Sequence, residues 1–346
     1  MEKKDSLVTH EPGWLKDFTN TEHESLPHFA PEQMIECAAC CRTNPPTRLD
    51  CFYCGARLEI SEKNAKLVRP IFRKLENWEK GFNVVCVFDS SIEKNAPQSK
   101  DAALFLGIEP EIFKNIARCG FPLPVSRLET AEEAKIVETR LRDYNLNAFV
   151  VPDEDLLPDK LPKRVRALSF SDDLQIRFTG TDESQSVNWQ DLIVFVEGRI
   201  FESKREGFEK RKRGEREETG DASEFSTDER VLDFYDSRNR LGYRISAKSF
   251  DFSCLGAKKS LLANENFEIL LGELKRLAPE AGFDRNYKNV RPLLNVVWTP
   301  DERKDSTGLQ HAGVGKINLG STVTVNNQNQ FNCYSRLVAF WKNGQK

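Results

Sequence analysis

Histidine is scarce in this chain of 346 residues, with only His10, His23, His28 and His311. All four fall in stretches without hydropathic period, which leaves no candidate for a histidine general base. The chain also has no glycine-rich phosphate loop after a strand, no GxSxG, no HExxH, and no pair of carboxylates that stands out among 54 acidic residues. These absences point away from an enzyme. No apolar run approaches the roughly 18 residues of a membrane span, and Met1-Glu2-Lys3-Lys4-Asp5 is not followed by the apolar core of a signal peptide. An excess of one charge is lacking too. With 51 basic residues against 54 acidic ones and a net charge of -3, the overall field steers neither nucleic acid nor an anionic membrane, and any such contact must be local. The expectation is a cytoplasmic, non-enzymatic protein with no membrane span and no lipid-binding role.

What the chain does have is cysteine in a demanding pattern. Among its nine cysteines, Cys37, Cys40, Cys51 and Cys54 form two CxxC pairs. Each pair turns the backbone so that both sulfurs face one ion, and the segment between them can bring the second pair round to complete a tetrahedral shell. One structural Zn2+ is expected. Cys41 could replace Cys40 as a ligand, but Cys37/Cys40 repeats the spacing of the second pair, which leaves Cys41 as a spare thiol. Cys86, Cys119, Cys254 and Cys333 are scattered without a disulfide pattern. Of these, Cys86 in an apolar run and Cys254 beside Phe252 read as small buried hydrophobes.

The spacing Cys37-x2-Cys40-x3-Asn44-x6-Cys51-x2-Cys54 resembles the Ran-binding-protein type of zinc finger, with Ile35 where that family carries Trp. The family binds ubiquitin or single-stranded RNA, so the resemblance makes Asn44 a candidate partner-binding residue; Arg42 and Arg48 add positive charge to the same finger loop. Cys51-Phe52-Tyr53-Cys54-Gly55 equally resembles the generic zinc ribbons of many bacterial proteins, in which the metal replaces a core that is too small.

Along the rest of the chain, residues 1–32 read as a disordered tail, 33–61 as the zinc module, and 62–81 as an amphipathic connector helix. The last rests on Leu67, Val68, Ile71, Phe72, Leu75 and Trp78 at helical spacing. Residues 82–153 read as a β-α-α-β-α-β domain, its third helix capped by Thr130-Ala131-Glu132-Glu133. With Leu106-Gly107-Ile108 opening the second helix, this order resembles the C-terminal domain of the ribosomal stalk protein, a fold shared with adaptors of bacterial ATP-dependent proteases. The resemblance implies a docking platform. Pro152 to Pro162 reads as a linker.

Residues 163–298 offer at least five strands in series and then one amphipathic helix from Leu261 to Leu277. That pattern resembles a pleckstrin-homology-like barrel capped by its C-terminal helix, a family of lipid binders and protein-binding modules. Its charge block 204–220 reads as a mobile loop. Residues 299–346 read as a tail whose short helix puts Phe331, Tyr334, Val338 and Trp341 in one stripe, expected to pack on the protein's own body or in a partner's groove.

The fold class expected is thus multidomain α+β: a zinc ribbon, the small β-α-α-β-α-β domain, and a mainly antiparallel barrel or sandwich capped by a helix. As a whole the order resembles uncharacterised bacterial cytosolic proteins that carry a zinc ribbon. The function expected is an adaptor or scaffold docking on protein partners, the alternative an RNA- or ribosome-associated protein.

Overall fold

The computed structural model describes residues 29–59, 73–88, 96–212, 215–218, 223–313 and 316–345. The expected tail up to residue 28, and residues 62–72 of the expected connector helix, lie outside them. The chain forms two compact units, Met1–Pro70 and Ile71–Lys346.

In the first unit a single 3-10 turn, Pro31–Gln33, leads into two short antiparallel strands, β1 (Ile35–Glu36) and β2 (Thr43–Asn44). Its buried apolar cluster is Ile35, Cys37, Cys51 and Leu58. So small a core cannot hold a fold in water without a staple.

The second unit is a mixed α+β body. Its first part runs β3 (Phe82–Val87), α1 (Ala96–Leu106), α2 (Pro110–Arg118), β4 (Leu123–Leu128), α3 (Ala131–Asp143) and β5 (Asn147–Pro152). This is the β-α-α-β-α-β order read from the sequence, with the strands arranged antiparallel as β4-β3-β5. The Thr130 hydroxyl accepts from the Glu133 N–H and caps α3 as anticipated.

After a single helical turn, α4 (Asp153–Leu156), come β6 (Lys163–Phe170), β7 (Asp173–Phe178), β8 (Ser184–Asn188), β9 (Leu192–Lys212), β10 (Glu215–Glu218), β11 (Ser223–Asp236) and β12 (Tyr243–Ser246). Then follow α5 (Ala263–Leu277), β13 (Gly282–Asp284), α6 (Tyr287–Leu294), β14 (Asp301–Gly313), β15 (Lys316–Asn326) and α7 (Gln328–Asn343). These strands form one mainly antiparallel sheet in the order β14-β15-β9-β11-β12-β6-β7-β8. Among the described strands, β12 with β6 and β13 with β9 pair in parallel.

Leu192 to Val196 is apolar at every position because β9 is buried on both faces. Leu192 and Phe195 belong to the cluster beneath α5, with Leu232, Phe234, Phe267 and Leu270. Val194 and Val196 belong to a second cluster that also holds Val84, Val151, Tyr287 and Phe331. The 82–153 segment, expected as a separate domain, therefore shares a core with the sheet and with α6 and α7.

Several expectations are corrected, each by a long-range contact. Residues 73–80 are extended chain and turn, not helix, because the Arg127 guanidinium holds the carbonyls of Glu76 and Glu79 and also pairs with Asp153. The stretch read as a linker is ordered. Arg336 of α7 donates to the carbonyls of Leu156, Leu157 and Lys160, and Asn332 to that of Pro158. The charge block is not a loop where it is described. Residues 204–212 continue β9, with β11 on one side, β15 on the other, and β10 pairing near its end; residues 213–214 and 219–220 lie outside the described residues. The tail from 299 onward is a hairpin, β14–β15, followed by a helix at the centre of the body.

Candidate metal centre

Both CxxC pairs close with the same backbone bonds. The N–H of the residue after each pair donates to the carbonyl of the pair's first cysteine: Cys41 to Cys37 at 2.8 Å and Gly55 to Cys51 at 3.0 Å. Each first cysteine then donates its own N–H to the carbonyl five residues on, Cys37 to Arg42 at 3.0 Å and Cys51 to Ala56 at 2.8 Å. Cys41 and Gly55 both take positive φ, 55° and 73°. The module is two copies of one turn facing each other.

The turns bring four sulfurs together. Sγ of Cys37 lies 3.7 Å from that of Cys54, Sγ of Cys40 lies 3.5 Å from that of Cys51, and all four fall within 4.8 Å of one another. A tetrahedral zinc with Zn–S bonds of about 2.3 Å requires sulfurs about 3.8 Å apart. The donor set fits a structural zinc site. Cys41 is exposed and outside the cluster.

The electrostatics match four thiols crowded round a place for a cation. Burial raises the Cys51 thiol, but N–H donors from Tyr53 and Cys54 and the Asn44 amide outweigh it and hold the group down at about 6. At Cys40 a backbone N–H from Arg42 works downward, yet burial and the three neighbouring sulfurs push the thiol up to about 12. Four thiolates this close repel one another unless a cation lies between them.

Asn44 serves this centre from inside. It is fully buried; its amide donates to Cys51 Sγ at 3.4 Å and to the Arg42 carbonyl at 2.9 Å, and its Oδ1 accepts from the Phe52 N–H at 2.8 Å. Its role is to orient a ligand, not to meet a partner.

The surface of the module is carried by two residues that sequence reasoning passed over. Phe52 and Tyr53 are 68% and 53% exposed, pack edge-to-face at 5.5 Å, and are covered by guanidiniums. Arg42 lies 4.8 Å from the Tyr53 ring centre and Arg48 5.2 Å from that of Phe52. The signal was available: in a CxxC turn with both sulfurs inward, the two middle residues point outward, and here both are aromatic.

The C-terminal stripe divides. Phe331 and Tyr334 are fully buried against Tyr287, whereas Val338 and Trp341 are half-buried at an open cavity. Cys86 and Cys333 are buried, and Cys119 and Cys254 are partly buried. Burial pushes Cys254 up to about 11 and raises Cys86, Cys119 and Cys333 as well. Among the described residues no helix is long and apolar enough to cross a membrane. No protein-family model, curated protein or solved structure matches the chain.

Proposed function

We propose that the chain is a non-enzymatic cytoplasmic adaptor whose four-cysteine module holds one structural Zn2+ and docks on a protein partner through Phe52, Tyr53, Arg42 and Arg48. The observation that carries this reading is the exposed ring pair with a guanidinium over each ring. Large aromatics and arginine are the residues that dominate protein-binding hot spots, and a metal-held turn presents them at little entropic cost. The resemblances suggested by the sequence pattern, of 82–153 to stalk-type docking domains and of 163–298 to pleckstrin-homology-like modules, are in keeping with an adaptor.

The RNA reading draws on the same rings, since arginine and aromatics also stack on bases. Charge favours protein. Residues 29–59 carry Arg42, Arg48 and Arg57 against Glu32, Glu36, Asp50 and Glu59, and a Zn2+ held by four thiolates is itself anionic, so the module offers phosphates no net attraction.

The test is a Phe52→Ala/Tyr53→Ala double variant of the full chain. It should keep one zinc per chain and a native circular-dichroism spectrum while losing the partner that the parent captures and that binds it directly in purified form. Capture equal to the parent's would overturn the reading. Binding of the parent to single-stranded RNA that weakens steeply with salt would assign the surface to RNA instead.

A further inference from the structure

A cavity of about 310 Å3 opens where α7, the end of β3, the turn before β4 and β13 meet. Val87, Phe121, Val338 and Trp341 give it an apolar wall with two aromatic rings. Two opposite charges stand at the same cavity, Asp284 and Lys342.

Neither charge is matched by an opposite charge among the described residues. The Asp284 carboxylate accepts from the Tyr334 hydroxyl at 2.7 Å, the Asn286 N–H at 3.1 Å and the Asn286 amide at 2.9 Å, all neutral donors. Among the described residues it has no cation within ion-pair distance, and a carboxylate offers more acceptor sites than these three use. Lys342 is exposed and pairs with no described carboxylate. Its stem lies along Gly282, where an added Cβ would stand 3.6 Å from the Lys342 Cε. Gly282 and Asp284 are two apart on β13 and share a face, so ammonium and carboxylate flank one opening.

We propose that this cavity binds a free α-amino acid with a large apolar or aromatic side chain. Asp284 would receive the ligand's ammonium, Lys342 its carboxylate, and the wall around Trp341 and Phe121 its side chain. At about 30 Å3 per water the space equals roughly ten waters, which suits a ligand of about a dozen heavy atoms. Bringing both charges of a zwitterion against unmatched opposite charges gives selectivity over molecules that lack either.

The test is calorimetric titration of the full, zinc-loaded chain with L-phenylalanine, phenethylamine and 3-phenylpropionate. Saturable binding of L-phenylalanine in the sub-millimolar to millimolar range is expected, with each analogue at least tenfold weaker. Asp284→Asn should cost tenfold or more. Because that change also touches Tyr334, Lys342→Met at an exposed position is the second variant; it should weaken L-phenylalanine but leave phenethylamine unchanged. No saturation by about 10 mM, or analogues that bind as well as the amino acid, would overturn the proposal.

Discussion

The ring of Phe331 occupies the space that a side chain at Gly198 would need. A Cβ built at Gly198 would fall 2.2 Å from the Phe331 Cε2 and 2.6 Å from Cδ2 and Cζ. Glycine in β9 is thus the condition for laying α7 on the sheet. The same ring is stacked by the Arg244 guanidinium at 5.1 Å, while Arg244 is held by Asp233 through bonds of 2.6 and 2.7 Å and by the Asn332 side chain at 2.8 Å.

Gly198→Ala should therefore destabilise the second unit by about 1–3 kcal/mol, the usual cost of overpacking, and Phe331→Ala by about 3–5 kcal/mol through the cavity it leaves. Thermal unfolding of each variant reads the effect. A melting temperature unchanged by Phe331→Ala would mean that α7 does not dock on the sheet as described.

At the metal centre, Cys41 stands where the matching turn carries Gly55, and a non-glycine residue at positive φ is strained. Cys41→Gly should raise zinc affinity several-fold, about 1 kcal/mol, in chelator competition, and Gly55→Ala should lower it by a similar factor. Cys41→Ser should retain one zinc per chain, whereas Cys40→Ser should lose it. Metal retained by Cys40→Ser but lost when Cys41→Ser is added would make Cys41 the true ligand.

Zinc removal should act on one unit alone. With a core as small as Ile35, Cys37, Cys51 and Leu58, chelation should erase hydrogen-exchange protection around Cys37, Cys51 and Leu58 and spare the second unit. Protection that survives complete demetallation would show that the module does not need the ion to fold.

Arg336 is buried, and its guanidinium serves the carbonyl of Leu156 at the end of α4 and those of Leu157 and Lys160 beyond it, where Leu157 is itself at φ 45°. Arg336→Leu strands those acceptors and should cost about 3 kcal/mol or more. Hydrogen exchange around residues 156–160 should rise first. Wild-type stability in this variant would argue against the clamp.

Burial raises the hydroxyls of Tyr235, Tyr287 and Tyr334, and at Tyr243 burial together with the Asp236 carboxylate pushes the group up to about 12 from the ordinary 10.0. Because the folded values are raised, the stabilisation is complete below pH 10 and is lost as pH climbs toward and through 12. Tyrosinate absorbance and loss of far-ultraviolet circular dichroism should rise together in that window. More than two of the six phenols titrating near 10 with native circular dichroism would contradict the burial of these four.

What the sequence alone determined is whatever depends on near neighbours in the chain. The four-cysteine cluster was legible because CxxC geometry is set within one turn, and the β-α-α-β-α-β order because α3 carries its Thr130 cap and the apolar positions recur at a local period. The open half of the C-terminal stripe, the aromatic surface of the module and the interior role of Asn44 were not legible. Tertiary structure alone decided that residues 204–212 form a strand, since their backbone groups are satisfied by β11 and β15 from far along the chain and no local preference of a charged run announces that. It likewise decided the fate of the expected linker and of residues 73–80 of the expected connector helix, where Arg336 and Arg127 capture carbonyls that a free segment would give to water or to its own helix.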